Sequence, residues 1–312
     1  MFGVRSASGW FLPRSQSPCE LHFSPMAFLK KFLSPHIWRR IFKERLTEPL
    51  HVNLAAIPVA LFGTFRAKVA FDLVLRPHNA WGILKAADIA KERGIKEIYA
   101  LEFGVATGAG LMNMAKIAEK VTEITGVKIR VVGFDTGKGM PPPRDYRDHP
   151  DLYFTGDFAM DVERLKAILP PHAELRIGEV GVTVPEFIKS LTPEIPIGYA
   201  VIDVDYYYSS VEAMQVFEGP PECYLPMTVL YLDDIMLDEH TWAAGELLAV
   251  AEYNQRHAPH RHVARPEFLP YDRLFHHAHW IPHMFYLHVL DHPNRAVSKK
   301  LEAPRQLDNP YL

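Results

Sequence analysis

The sequence predicts an α/β fold: a seven-stranded, mostly parallel sheet with a C-terminal antiparallel hairpin and helices on both faces. Three observations support this prediction. Apolar strand patterns alternate with segments of helical spacing through the middle of the chain. A glycine-rich turn joins the first of these strands to a helix. Two alternating apolar segments with no long helix between them close the pattern, and we expect them to pair at one edge.

Five strand patterns and six helix patterns make up this alternation. The predicted strands are Ile98–Phe103, Ile129–Phe134, Glu174–Ile177, Ile197–Ile202 and Thr228–Leu232. The predicted helices are Asn79–Arg93, Leu111–Thr125, Val162–Leu169, Pro185–Leu191, Ser209–Phe217 and Thr241–Arg256. The hairpin segments are His262–Leu269 and His279–Leu290. Because successive parallel strands need right-handed crossovers, the helices cover both faces and ligands bind at the carboxyl ends of the strands.

The glycine-rich turn follows the first strand, which ends near Glu102. Glycines bring backbone N–H groups close to a ligand, and the following helix directs its positive end there. The candidate residues of this turn are Glu102, Gly104, Val105, Ala106, Thr107 and Gly108. The second strand ends on Asp135, where an acid can accept the two hydroxyls of a ribose. Together these features predict a nucleoside pocket; the alternative is an ordinary turn with a solvated acid nearby.

Four aspartates follow the fourth and fifth predicted strands: Asp203, Asp205, Asp233 and Asp234. If the fourth strand continues through Asp205, its two acids share a face, and the neighbouring strand lies about 5 Å away. Carboxylates this close repel one another unless they are protonated or bridged, and an all-oxygen set suits Mg²⁺ better than zinc. The alternative is that Asp205 caps the next helix, and that Asp234 or Asp238 caps the helix near Thr241.

Composition limits the class of function. The chain has 312 residues, 48% of them hydrophobic, which suits one large domain with an N-terminal extension. A net charge of −3 gives no field for nucleic acid, so we expect a small-molecule partner and no nucleic acid. Only Cys19 and Cys223 are present, which fits a reducing, cytoplasmic location. The predicted segments are a disordered leader 1–25, a helical extension 26–78, the main domain 79–297 and a tail 298–312.

The N-terminal extension is basic and apolar. Before residue 44 the chain carries seven lysines and arginines against one acid, Glu20. The spacing from Phe28 to Phe42 predicts a basic amphipathic helix interrupted at Pro35. Residues 26–71 could contact a membrane surface, the main domain or a second subunit, and the sequence leaves these three alternatives open. Contact with a second subunit would give a homodimer. The apolar run Leu54–Phe65 is too short to cross a bilayer.

The turn and the strand-end acids resemble those of class I S-adenosylmethionine-dependent methyltransferases. Glu102-x-Gly104-x-x-x-Gly108 is similar to their first motif, and Asp135 to their ribose-binding acid. Within that class, three stretches resemble the macrocin-type (TylF-like) sugar O-methyltransferases. These are Gly133-Phe-Asp-Thr-Gly-Lys-Gly-Met-Pro, Ile202-Asp-Val-Asp-Tyr-Tyr-Tyr-Ser-Ser and Tyr231-Leu-Asp-Asp. The chain departs from that family at Gly137-Lys138, at the lengthened run Tyr206–Tyr208 and in its basic N-terminal extension.

The resemblance implies a Rossmann-like fold and Mg²⁺-assisted methylation of a hydroxyl on a sugar or another small polyol, with S-adenosylmethionine as donor. Asp203, Asp233 and Asp234 would hold the metal, and Asp205 is the candidate general base. On physical grounds the turn Gly104–Gly108 would hold the amino-acid end of the donor. The ribose would lie at Asp135 and Thr136, and the adenine edge at Gly178 and Glu179.

Other interpretations remain. Asp203-Val-Asp205 is also typical of the metal-diphosphate motif of nucleotide-sugar glycosyltransferases, which do not need the donor-binding turn. A non-catalytic methyltransferase-like domain would bind the donor without turnover. A nicotinamide dehydrogenase is disfavoured, because Ala106 and Ala109 replace two fingerprint glycines. The C-terminal histidines have poor spacing for a metal site, so we interpret them as packing or surface residues.

Overall fold

The computed structural model describes residues 44–296. The chain divides after Thr47 into two compact units, and the fold below belongs to the second unit. The predicted leader 1–25, the amphipathic helix before residue 43 and the tail 298–312 lie outside the described residues. The second unit begins with three helices, α1 (Leu50–Phe62), α2 (Phe65–Ala70) and α3 (Pro77–Glu92).

The strands and the remaining helices follow in the predicted alternation. The strands are β1 (Glu97–Phe103), β2 (Lys128–Asp135), β3 (Ala173–Ile177), β4 (Ile197–Ile202), β5 (Tyr224–Leu232), β6 (Arg261–Ala264) and β7 (Met284–Val289). The helices are α4 (Ala109–Thr125), α5 (Val162–Ile168), α6 (Val180–Ser190), α7 (Tyr207–Met214), α8 (Gly245–His257), α9 (Leu269–Asp272) and α10 (Pro293–Ala296). Short 3₁₀ turns lie in several of the connections.

One seven-stranded sheet organises the unit, with strand order β3-β2-β1-β4-β5-β7-β6. Strands β1 to β5 are parallel, and β7 pairs antiparallel with both β5 and β6. The predicted fold class and the antiparallel hairpin at one edge are therefore confirmed. The strand order reverses direction between β1 and β4, and such a reversal opens a crevice at the carboxyl ends of the strands.

Two hydrophobic clusters cover the two faces of the sheet. One cluster includes Ala100 and Val131 of the strands and Ile83 and Met114 of α3 and α4. The other includes the adjacent strand residues Leu101 and Val132, with side chains of α6, α7 and α8. Successive strand residues point to opposite faces, so this division shows that helices pack on both sides. The sheet's carboxyl edge is thereby held rigid from both faces.

Two predicted helix starts were wrong by four residues or more. Helix α6 begins at Val180 and contains Pro185, whereas the sequence predicted a start at the proline. Val180, Val184 and Phe187 bury one face of α6, and this packing tolerates the one backbone hydrogen bond that the proline lacks. Helix α8 begins at Gly245, four residues after the predicted Thr241. The hairpin strands are also shorter than predicted.

Helix α1 is apolar and largely uncovered. It has no charged residue, and Ala56 is its buried residue. Leu50, Leu54, Ile57 and Leu61 are each more than half exposed, and Phe62 is 86% exposed. Among the described residues, no helix combines the length and the apolar character needed to span a membrane.

Candidate active site

A cavity of about 410 Å³ lies at the carboxyl ends of β1, β2, β4 and β5. Most of the predicted site residues line it. They are Glu102, Gly104, Val105, Ala106, Thr107, Asp135, Thr136, Glu179, Asp203, Asp205, Asp233 and Asp234. Gly108 and Gly178 do not contribute to its wall. The cavity thus brings the glycine turn, the acid after β2 and the strand-end aspartates together in one space.

The glycine turn is packed against the neighbouring strand end. Gly104 has a φ of 83°, and a Cβ placed there would overlap the carbonyl oxygen of Asp203. Its N–H donates to the carbonyl of Phe134 at 3.0 Å. A glycine is therefore required at residue 104, because its φ is positive and the backbone after β4 approaches it, whether or not a ligand is bound.

Asp135 is hydrogen bonded directly to the glycine turn. Its Oδ2 accepts the N–H groups of Val105 at 2.8 Å and Ala106 at 2.9 Å. Its Oδ1 accepts the N–H of Gly137 at 2.6 Å. The acid therefore orders the turns after both β1 and β2. Carboxylate oxygens each have two lone pairs, so Asp135 retains capacity for a further donor.

Glu102 lies behind the turn as a buried acid. Its side chain packs so closely on α4 that a Cβ at Gly110 would overlap its Oε1. The pKa of Glu102 is raised to about 8, mainly by burial; the positive charge of Arg76 opposes this rise, and the nearby Asp135 and Asp233 add to it. Within the described part of the chain, its Oε2 has no hydrogen-bond partner. Glu102 is thus largely neutral near pH 7 and contacts the inner wall of the cavity.

Three aspartates converge at the ends of β4 and β5. Asp203, Asp233 and Asp234 each offer a carboxylate oxygen, and these atoms lie within 4.8 Å of one another. Tyr153 donates its hydroxyl to Asp234 Oδ1 at 3.3 Å, and Tyr231 donates to Asp233 Oδ1 at 2.7 Å. Because β4 pairs in parallel with β5, the aspartates that follow the two strands lie close to one another, as the sequence predicted.

Asp205 reaches the cavity by a route that differs from the predicted one. Strand β4 ends at Ile202 and does not continue through Asp205, whose φ of 58° is left-handed. Its N–H donates to Asp234 Oδ2 at 3.2 Å, which holds this conformation. The alternative that these aspartates cap helices is wrong, since α7 and α8 have the N-caps Tyr206 and Ala244 and no side-chain cap.

Burial and mutual repulsion make the cluster hard to ionise fully. Both effects raise the pKa values of Asp203 and Asp234 well above their ordinary range, and burial raises that of Asp205. A bound cation would offset this repulsion. The donor set consists of oxygens alone, so the residues fit a hard divalent ion such as Mg²⁺.

A second layer of side chains supports the aspartates. Glu246 at the start of α8 accepts the Asp234 N–H at 3.2 Å, and the nearby carboxylates and burial raise its pKa. His283 Nδ1 donates to the carbonyl of Leu232 at 2.7 Å. The Tyr231 ring stacks on His78 and on His283, with centroids 4.0 and 5.3 Å apart. These contacts fix the end of β5, which carries Asp233.

Sequence reasoning missed several residues of the cavity wall. Arg76, Tyr153 and Phe158 line it, and Glu246 supports it, yet no motif indicated them. The one sequence feature that could have indicated Glu246 is its place as an acid near the start of the helix that follows Asp234. None of the C-terminal histidines lines the cavity among the described residues. His283 and His292 instead bind backbone carbonyls, which agrees with their interpretation as packing residues.

No known family model matches the chain. No curated protein matches it either. Solved structures with similarity include CalS11, a calicheamicin methyltransferase, at 21% identity and a TM-score of 0.41, covering 79% of this chain and 93% of that chain. The O-methyltransferase NovP has 13% identity and a TM-score of 0.47, covering 68% and 79%.

An apo structure of CalS11, described as a TDP-rhamnose 3'-O-methyltransferase of calicheamicin biosynthesis, has 19% identity and a TM-score of 0.32. The match covers 55% of this chain and 69% of that chain.

Proposed function

We propose that the protein is an S-adenosylmethionine-dependent O-methyltransferase that acts on a hydroxyl of a small molecule, such as a sugar or another polyol, with help from Mg²⁺. One observation carries the proposal: the glycine turn, Asp135 and the strand-end aspartates line a single cavity at the point where the strand order reverses. Ligands of parallel α/β sheets bind at this point.

The charge of the cavity favours a cationic donor. Its described lining contains eight acidic side chains and one basic side chain, Arg76. S-adenosylmethionine carries a positive sulfonium, which such a lining attracts. The ribose would bind Asp135 and Thr136, the amino-acid end would bind the turn Gly104–Gly108, and Gly178–Glu179 would lie by the adenine edge. In-line methyl transfer needs this placement and a deprotonated acceptor, with no covalent enzyme intermediate.

Asp203, Asp233 and Asp234 would hold the Mg²⁺. When bound, the ion supplies Lewis-acid chemistry that orients neighbouring acceptor oxygens and lowers the pKa of a hydroxyl. Asp205 would take the hydroxyl proton. Burial raises the pKa of Asp205, which brings this carboxylate closer to the value that suits a general base near neutral pH.

The glycosyltransferase alternative is less well supported by the same charges. A nucleotide-sugar donor carries a diphosphate, which the acidic lining of the cavity would repel unless several cations were present. The non-catalytic alternative predicts donor binding without turnover. It also predicts that Asp205→Asn changes nothing, whereas a general base at Asp205 predicts a loss of turnover with donor affinity retained.

We also propose that α1 makes an intermolecular contact, either with a membrane surface or with a second subunit of a homodimer. The exposed apolar side chains of α1 support this proposal. We propose a cytoplasmic location as well, because the chain has only two cysteines, which suits a reducing compartment.

Calorimetric titration with S-adenosylmethionine, with and without Mg²⁺, tests the function. We expect Asp135→Ala to lower donor affinity about 100-fold, in line with the loss of charged hydrogen bonds. Asp233→Ala should retain donor affinity, and its titrations with and without Mg²⁺ should be the same. Asp291→Ala is the control, because this exposed residue follows β7 at the opposite edge of the sheet. Donor affinity unchanged in Asp135→Ala would contradict the pocket assignment.

A further inference from the structure

Arg76 stands out by its charge. Among the described residues that line the cavity it is the only basic one, and it faces eight acidic side chains. Its side chain is half-buried and has no hydrogen bond or ion pair within the described part of the chain. A half-buried guanidinium without a partner has hydrogen-bonding capacity available for an anionic group.

Arg76 lines the end of the cavity where β1 leads into the glycine turn, close enough to Glu102 for its charge to act on this buried acid, which precedes Gly104. The same end of the cavity is formed by Ala109 and Gly110, where helix α4 begins. The N-terminus of a helix adds partial positive charge. This end is therefore the part of an otherwise acidic cavity that suits an anion.

The backbone at Arg76 is held in an unusual conformation. Its φ of 53° and ψ of 69° are left-handed, although the residue is not glycine and precedes Pro77. Such a conformation is strained and persists where surrounding contacts impose it. The neighbouring contacts form a chain of hydrogen bonds that links this loop to α4 and β4.

Asn113 of α4 is the centre of that chain. Its amide donates to the carbonyl of Leu75 at 3.2 Å, and its Oδ1 accepts the amide of Asn79 at 3.2 Å. Asn79 in turn accepts the hydroxyl of Tyr199 at 2.9 Å. Leu75 and Asn79, which lie on either side of the Arg76-Pro77 step, are thus tied to the helix that follows the glycine turn. This arrangement fixes the direction in which Arg76 projects.

We propose that Arg76 forms the subsite for the carboxylate of the donor's amino-acid moiety. The inference rests on the proposed function and adds a residue that no motif indicated. An adenosyl donor whose ribose lies at Asp135 extends its amino-acid end along the glycine turn toward Arg76. The carboxylate pairs with the guanidinium, and the sulfonium stays among the acids. Arg76 is a positioning residue, since it binds a part of the donor remote from the transferred methyl group.

Three adenosyl ligands test the subsite by calorimetry. S-adenosylmethionine has the carboxylate, decarboxylated S-adenosylmethionine lacks only that group, and 5'-methylthioadenosine lacks the whole amino-acid moiety. We expect Arg76→Gln to weaken binding of S-adenosylmethionine about 10- to 100-fold and to leave the other two affinities unchanged. Arg76→Lys should keep part of the affinity, because it retains the charge and loses the planar fork.

Arg93→Gln is the matched control, since it removes the same charge from the exposed opposite end of α3. It should change none of the three affinities. Equal weakening of all three ligands by both Arg76 variants, or no weakening at all, would overturn the subsite. If the wild-type protein bound none of the three ligands, the proposed function itself would fail, so the two failures are distinguishable.

Discussion

Glu102 combines packing and electrostatics at one buried position. Its carboxyl group occupies the space that Gly110 leaves open on α4 and faces Arg76 and the acidic cluster. Burial disfavours its charged form, so the group is largely protonated near neutral pH. A neutral carboxyl group limits the repulsion in a cavity that already contains several acids. Glutamine has nearly the same shape and cannot ionise.

Glu102→Gln should change how stability depends on pH. A pKa raised to about 8 means that the folded state binds more protons than the unfolded state, so stability falls as pH rises from about 4.5 to about 8. We expect the variant to be more stable than wild type at about pH 8.5, by on the order of 2–4 kcal/mol, and similar at about pH 4.

Urea unfolding in EDTA at both pH values measures this difference. Glu163→Gln is the control, because Glu163 is exposed in the first turn of α5. Parallel pH profiles for wild type and Glu102→Gln would show that the buried carboxyl group does not titrate as expected.

At the scale of elements, the site depends on how strand ends meet. The turn after β1 is fixed by Asp135 at the end of β2 and by the backbone after β4, so three parallel strands determine its conformation. The metal-ligand candidates likewise come from the ends of β4 and β5. Helix α1 differs from the other elements, because its large apolar side chains contribute little to the core.

Replacing Leu54 and Ile57 together with glutamate should abolish any intermolecular contact of α1 without unfolding the protein. Both side chains are exposed, at 56% and 57%, so charges there remain solvated. Sedimentation velocity measures self-association, and co-sedimentation with phosphatidylcholine–phosphatidylglycerol vesicles measures lipid binding.

Ile168→Glu with Val182→Glu is the matched control, since these residues of α5 and α6 are 57% and 59% exposed. The control pair should behave as wild type. A wild-type protein that is monomeric and does not co-sediment with the vesicles would refute the predicted contact.

At the scale of the whole molecule, charge is distributed unevenly. The chain has a net charge of only −3, yet eight acids surround one cavity. Burial and repulsion raise the pKa values of Asp203 and Asp234, so in the absence of a cation the cluster keeps its protons to a higher pH than solvated aspartates do. Metal binding must displace those protons, which couples the metal to pH and to stability.

Mg²⁺ should therefore stabilise the protein more at high pH than at low pH. Deprotonation at rising pH removes the stability that the protonated acids contribute, and a bound cation restores it. We expect the increase in melting temperature with Mg²⁺ over EDTA to be larger at about pH 8.5 than at about pH 5.5. Asp233→Ala should show no increase at either pH, and an equal increase in this variant would place the ion elsewhere.

Local pattern in the sequence was enough to predict the sheet, its hairpin and about half of the residues that line the cavity. Strand periodicity and glycine turns are local properties, and parallel strands bring their carboxyl ends to one edge, so acids that end strands must meet there. Arg76, Tyr153 and the hydrogen bonds between Asp135 and the glycine turn were decided by the tertiary structure alone. They join segments that are far apart in sequence, and such contacts depend on how helices and loops pack onto the completed sheet.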